Sequence, residues 1–168
     1  LWCIDVGSGA GFPGLPLKIM LPEIKLTLLE ATGKKVTFLQ HMVQTLGLQN
    51  VEVLHGRAEE VGHLPKHRER YDFVVARAVA SMCVLAEYCL PFCHTGGRMV
   101  ALKGEDAEEE AHAAEEAYTL LGGSLTAVKP LPIEGLRPGS HLVVVDKHAP
   151  TPSIYPRRPG IPSKKPLC

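Results

Sequence analysis

The order of elements in the sequence predicts an α/β fold. It is a Rossmann-like, seven-stranded, mostly parallel sheet with an antiparallel final strand pair and helices on both faces. Three observations predict it. Strand-like apolar runs alternate with helix-period segments from Leu1 to Leu121. The first run ends in a glycine-rich turn, Asp5-Val6-Gly7-Ser8-Gly9-Ala10-Gly11-Phe12-Pro13-Gly14, that leads straight into a helix. The last two runs, Leu125–Leu131 and His141–Asp146, have no helical segment between them and so pair as antiparallel neighbours.

Each element has its own signal. Leu1–Val6 is a buried parallel strand, and Pro13–Leu21 is a short helix stopped by Pro22. Ile24–Glu30 is the second strand, ending in an acid. Thr32 or Gly33 opens the next helix, in which Val36, Leu39, Met42, Val43 and Leu46 recur at helical spacing, and Gly47 closes it. Val51–Leu54 is the third strand. His63–Arg70 reads as a loop or short helix, and Tyr71–Ala76 as the fourth strand. Ser81 is the expected N-cap of a helix through Met82, Leu85, Ala86, Cys89 and Leu90. Arg98–Leu102 is the fifth strand. Glu105–Leu121 is one Ala-rich helix with a solvated acidic face, ended by Gly122-Gly123.

The chain of 168 residues fits one domain, residues 1–148, followed by a tail, 149–168. Six of the 14 prolines fall in that tail and bar it from being a helix or a central strand. No apolar run approaches the roughly 18 residues of a membrane span, and no signal peptide is seen, so a cytoplasmic protein with no membrane association is expected. The chain opens inside a strand without an initiator Met, so a preceding N-terminal segment is expected. The five cysteines form no disulfide-like framework, which fits a reducing compartment. Cys83, Cys89 and Cys93 read as apolar filler in one helix. No metal set is assigned: His63 and His67 stand four apart without a third ligand. Net charge is zero, but the tail carries Arg157, Arg158, Lys164 and Lys165 and no acid. A basic tail on an acidic body points to a polyanion partner, or to a solvated tail.

The loops indicate the ligand. Dinucleotide enzymes usually show G-x-G-x-x-G. Here Gly7, Gly9 and Gly11 give G-x-G-x-G, which suits S-adenosylmethionine, a ligand without a pyrophosphate. Asp5, just before the turn, is placed to meet the cationic methionine amine. Glu30, ending the second strand, is placed to accept from both ribose hydroxyls. Ala58-Glu59, after the third strand, is placed to hold the adenine. A NAD enzyme shares the fold, but the antiparallel last pair favours the class I methyltransferase variant.

The chain resembles the bacterial 16S rRNA guanine-N7 methyltransferases, the glucose-inhibited division protein B family. The resemblance is carried by Val6-Gly7-Ser8-Gly9-Ala10-Gly11-Phe12-Pro13-Gly14, Glu30-Ala31-Thr32-Gly33-Lys34-Lys35, Arg57-Ala58-Glu59-Glu60, Ala76-Arg77-Ala78-Val79-Ala80, Leu102-Lys103-Gly104 and the tail from Tyr155 to Leu167. It implies that Gly7, Phe12, Ala58, Glu59 and Arg77 contact the cofactor and that Glu30 faces the ribose. It also implies methylation of a guanine in the 530 loop of 16S rRNA or of the small ribosomal subunit, and a helical N-terminal segment that this chain lacks.

Guanine N7 already carries a lone pair, so no general base and no cysteine nucleophile is required, and no catalytic residue is assigned. Arg77 is the candidate orienting residue, acting on the cofactor carboxylate or the guanine. Lys103, Arg157, Arg158, Lys164 and Lys165 are the candidate RNA contacts, and a monomer is expected. Two rival readings remain: a methyltransferase of another substrate, and a non-catalytic cofactor- and RNA-binding module.

Overall fold

A computed structural model describes residues 1–168. In chain order the elements are β1 (Trp2–Val6), α1 (Gly14–Met20), β2 (Lys25–Glu30), α2 (Gly33–Thr45), β3 (Val51–His55), α3 (Ala58–Val61) and β4 (Tyr71–Arg77). There follow α4 (Met82–Cys89), β5 (Cys93–Lys103), α5 (Ala107–Ala113), α6 (Glu115–Leu120), β6 (Gly123–Pro130), β7 (His141–Lys147) and α7 (Ile161–Lys164). The seven strands form one sheet in the order β3-β2-β1-β4-β5-β7-β6. The first five are parallel, and β7 lies antiparallel between β5 and β6.

This order reverses at β1, and the register aligns the strand ends there. Val6 lies beside Leu29, one residue short of Glu30, while Asp5 lies beside Val75, two short of Arg77. The acids and the arginine singled out by the sequence therefore meet at one end of the sheet, where ligands of such folds bind. Apolar burial is uneven across the sheet. A cluster of 26 buried residues is built around α4, α5 and α6, against only seven on the α1 and α2 face.

Several expectations change. The acidic helix is two helices: at Ala114 the amide reaches back only to Ala111 O, at 3.4 Å, a tightened turn, and the stripe Ala107, Ala111, Ala114, Ala117 is buried on both sides of it. The region 63–70 is turn, the first of its two expected readings, and a short helix that was not expected lies earlier, over Ala58–Val61. Ser81 makes no side-chain cap; Glu110 reaches over from α5 and accepts the Met82 N–H at 3.1 Å instead. Strand β5 begins at Cys93 and carries an irregularity before Arg98, so Cys93 is on a strand rather than in the helix with Cys83 and Cys89.

The tail departs furthest. It contains a helix, α7, with proline in its first turn, where the missing N–H costs nothing. Thr151, Tyr155, Pro156 and Pro162 are buried. Arg68 organises it by donating to four carbonyls: Thr151, Pro152 and Tyr155 in the tail, and Gly62. The cysteines also depart from expectation. Cys83 on α4 and Cys168 at the chain end form a disulfide across a separation of 85 residues, leaving Cys3, Cys89 and Cys93 free and buried. Cys83 is therefore a tether rather than core filler.

Candidate active site at the carboxyl ends of the strands

The glycine turn is built by its neighbours on either side. Gly7, Gly9 and Gly11 all have positive φ, where a side chain would be strained. Gly7 and Ser8 donate backbone N–H groups to Leu29 O, tying the turn to β2. Ser8 Oγ donates to Asp5 O at 2.9 Å and is buried; sequence reasoning gave Ser8 no role, and only its place inside the motif could have flagged it.

Two buried carboxylates bracket the turn. Glu30 accepts the Gly9 N–H through Oε2 at 2.8 Å and the Thr32 N–H through Oε1 at 3.2 Å. It therefore joins the turn to the start of α2, and each oxygen keeps a lone pair for a ligand hydroxyl. Asp5 is fully buried and accepts the Gly14 N–H through Oδ2 at 2.9 Å. Its Oδ1 has no partner. Burial pushes the Asp5 carboxyl up to about 7, with Glu30 adding to the rise, against the Gly14 hydrogen bond and the Arg77 charge. An unpaired oxygen on a buried carboxylate is costly, and a cationic donor would satisfy it.

Beside the turn lies a cavity of about 140 Å³, lined by Val6, Gly7, Ala58, Glu59, Val79 and Tyr88 among others. It brings together the candidates Gly7, Ala58 and Glu59. It is smaller than the roughly 300 Å³ of a typical small-molecule site, so it has room for a small group only. Val79 narrows it: a Cβ on Gly7 would lie 2.8 Å from Val79 Cγ2. Val79 belongs to the turn after β4, in which Ala78 has φ 51°, a left-handed conformation uncommon for a residue with a Cβ. Arg77 and Phe12 are exposed and do not line this cavity; they meet each other, with the Arg77 Cζ 5.4 Å from the Phe12 ring centroid.

The structure separates the basic candidates. Arg158, Lys164 and Lys165 are exposed. Arg157 is not free: its backbone N–H, Nε and Nη2 all donate to Glu87, a residue of α4 with no exposure. That partner, 70 residues away, holds the guanidinium above its usual range. Lys103 is also committed, donating to Ala80 O at 2.8 Å and pairing with Glu110 at 2.8 Å. Glu59, expected at the adenine, accepts the Gly160 N–H of the tail at 3.2 Å, so the tail reaches the edge of the cavity.

A larger groove of about 330 Å³ lies on the α1 face, among residues such as Leu17, Phe73, Val100 and Leu102. It holds none of the carboxylates and supplies no chemistry to the site.

A family model described as "rRNA small subunit methyltransferase G" matches residues 2–136. The chain is 52% identical over 164 residues to the "Ribosomal RNA small subunit methyltransferase G" of Roseiflexus sp. (strain RS-1), covering 98% of this chain and 70% of that protein. It is 50% identical to the protein of the same name from Alkaliphilus metalliredigens (strain QYMF), covering 98% and 69%. In fold it is similar to a SAM-dependent methyltransferase from Aquifex aeolicus, with a TM-score of 0.64 at 21% identity over 86% of this chain and 81% of that one.

Proposed function

Because the chain belongs to the rRNA small subunit methyltransferase G family, we propose that it transfers the methyl group of S-adenosylmethionine to N7 of a guanine in the 530 loop of 16S rRNA. One observation carries the cofactor assignment: the buried Asp5 with its unpaired Oδ1, set across the glycine turn from the buried Glu30. A dinucleotide pyrophosphate would add negative charge next to Asp5, whereas a sulfonium amino acid brings a cationic amine to it.

Bound there, S-adenosylmethionine supplies a methyl group already activated by its sulfonium. The chain's own residues then bind and align. Asp5 receives the amine. Glu30 accepts from the ribose hydroxyls while holding the Gly9 amide. Ala58 and Glu59 border the cavity for the adenine. Arg77 and Phe12, both exposed and in contact with each other, orient the cofactor carboxylate or the incoming guanine. The guanine N7 would attack with its own lone pair as the methyl–sulfur bond breaks and S-adenosylhomocysteine leaves, so no residue has to remove a proton before transfer. Catalysis is then chiefly alignment, with the target base splayed from the RNA to bring its edge to the mouth. No Lewis acid is needed to activate a sulfonium, so the reading includes no metal. It is also that of a monomer acting where ribosomal RNA is found, in the cytoplasm.

The test is transfer of labelled methyl from S-adenosylmethionine to small ribosomal subunits that lack the 530-loop modification, followed by mapping of the labelled nucleotide. Label at one guanine N7 is the expected result. Label elsewhere would replace the acceptor. Cofactor binding without transfer to any RNA would leave a binding module.

A further inference from the structure

The basic side chains of this protein are sorted by position. Those far from the strand carboxyl ends, or inside the fold, are engaged by the protein itself. Lys18 donates to two carbonyls, Arg68 to four, Lys66 pairs with Glu52 and Arg98 with Asp146, and Lys147 is buried against Glu69 and two carbonyls. Lys34, Lys35, Arg158, Lys164 and Lys165 are exposed. They donate to no group of the chain, and Arg57 only grazes Glu59 at 4.0 Å.

These six residues lie along one continuous surface. Lys34 and Lys35 stand in the first turn of α2, whose entry is fixed to β3 by His55 Nε2 and Ala31 O at 3.0 Å. Arg57 follows β3 and precedes Glu59, which receives the Gly160 amide of the tail. Gly62 at the end of α3 packs against Pro156, two residues before Arg158. The positive end of α2 adds to the same surface. The acids within it are Glu30 and Glu59, both buried and bonded, and the exposed Glu60.

The opposite side of the crevice has the other sign. There the carboxyl end of β5 leads into Glu105, Asp106, Glu108 and Glu109, all exposed. The β6–β7 connection packs on them, since a Cβ on Gly139 would run into the Glu105 side chain. Lys129 and Arg137 on this side are exposed and make no ion pair, but they share it with those four acids and with Glu134.

We propose that the substrate's phosphate backbone crosses the crevice on its β2–β3 side, held by Lys34, Lys35 and Arg57 with Arg158, Lys164 and Lys165, and avoids the β5–β6 edge. This rests on the reading that the substrate is RNA. It gives the lysines of α2 a role as phosphate contacts and removes Arg157 and Lys103 from that role. A polyanion gains from the net positive charge of the β2–β3 side, while on the other side the exposed acids outnumber Lys129 and Arg137, so the molecule favours one side of the crevice for the strand.

The experiment measures binding of a 16S rRNA fragment containing the 530 loop across a salt series, with S-adenosylmethionine affinity measured on the same samples. The variants are K34A/K35A and, as the control pair, K129A/R137A. K34A/K35A is expected to weaken RNA binding by about 5–20-fold at low salt and to reduce the slope of log K against log salt by about 1–2, with cofactor affinity unchanged. K129A/R137A is expected to change RNA affinity less than about twofold, the range of ordinary surface substitutions. Equal or larger losses in K129A/R137A, or none in K34A/K35A while the parent binds, would overturn this surface and leave the function standing. A parent chain that binds cofactor but neither binds nor methylates small-subunit RNA would overturn the function, and this proposal with it.

Discussion

Asp5 sets a pH dependence that can be read from both stability and binding. Its carboxyl is raised from 3.8 to about 7 by burial. A carboxyl raised in the folded state favours folding while protonated. Its contribution is therefore complete below the unfolded value and lost as pH rises through about 7. In the proposed role a cationic amine meets Asp5 in its ionised form, so cofactor binding is expected to release a proton below that pH. Affinity for S-adenosylmethionine is expected to rise between pH 5.5 and 7.5, by up to about tenfold per pH unit for a single proton, before the amine's own titration near 8 intervenes. In Asp5→Asn the affinity should be lower and the slope flattened. Calorimetry at a series of pH values decides it, and an Asn variant with the parent's slope would remove Asp5 from the amine. Asp5 was legible in the sequence because it precedes a glycine turn at a strand end. The unpaired Oδ1 was not, because it depends on which amide takes the other oxygen, and Gly14 is nine residues on.

At the scale of elements, the tail and α4 act as one unit. The sequence shows Arg157 and Arg158 as a basic pair with nothing to distinguish them. Folding gives Arg157 three donors to a fully buried Glu87 and leaves Arg158 in solvent. Removing one partner of a buried pair strands the other charge, at a cost of about 3–5 kcal/mol, whereas an exposed arginine changes stability by about 0.5 kcal/mol or less. Arg157→Ala is thus expected to lower the unfolding free energy by several kcal/mol, discounted because Arg157 is about a quarter exposed. Arg158→Ala should leave stability alone and weaken RNA binding. Urea titration of both variants checks this, and equal midpoints would refute the division of labour. The α/β alternation and the helix-less last pair were readable because local periodicity carries them. The docking of the tail was not, because Glu87, Arg68 and Glu59 are 70 or more residues from what they hold.

At the scale of the whole molecule, the disulfide closes a loop that contains β5, α5, α6, β6, β7 and the tail. Sequence reasoning could not find it, because five cysteines without a spacing pattern leave the pairing open and the bridge spans 85 residues. Cross-linking so long a loop acts mainly on the unfolded chain, whose entropy it restricts, with typical gains of about 2–4 kcal/mol. In the folded state the tail has other holds, since Arg157, the Arg68 carbonyl bonds and the Glu59–Gly160 contact do not depend on sulfur. The two roles of the tail are therefore separable. Cys168→Ser should lower the unfolding free energy by about 2–4 kcal/mol under oxidising conditions and leave S-adenosylmethionine affinity unchanged. Under a dithiol reductant, parent and variant should unfold together. If reduction instead weakened cofactor binding, the bridge would be holding the tail against Glu59, and the noncovalent contacts would be too weak to keep it there. If parent stability were the same with and without reductant, the thiols would stand unpaired, and the tail would owe its place to Glu87 and Arg68 alone.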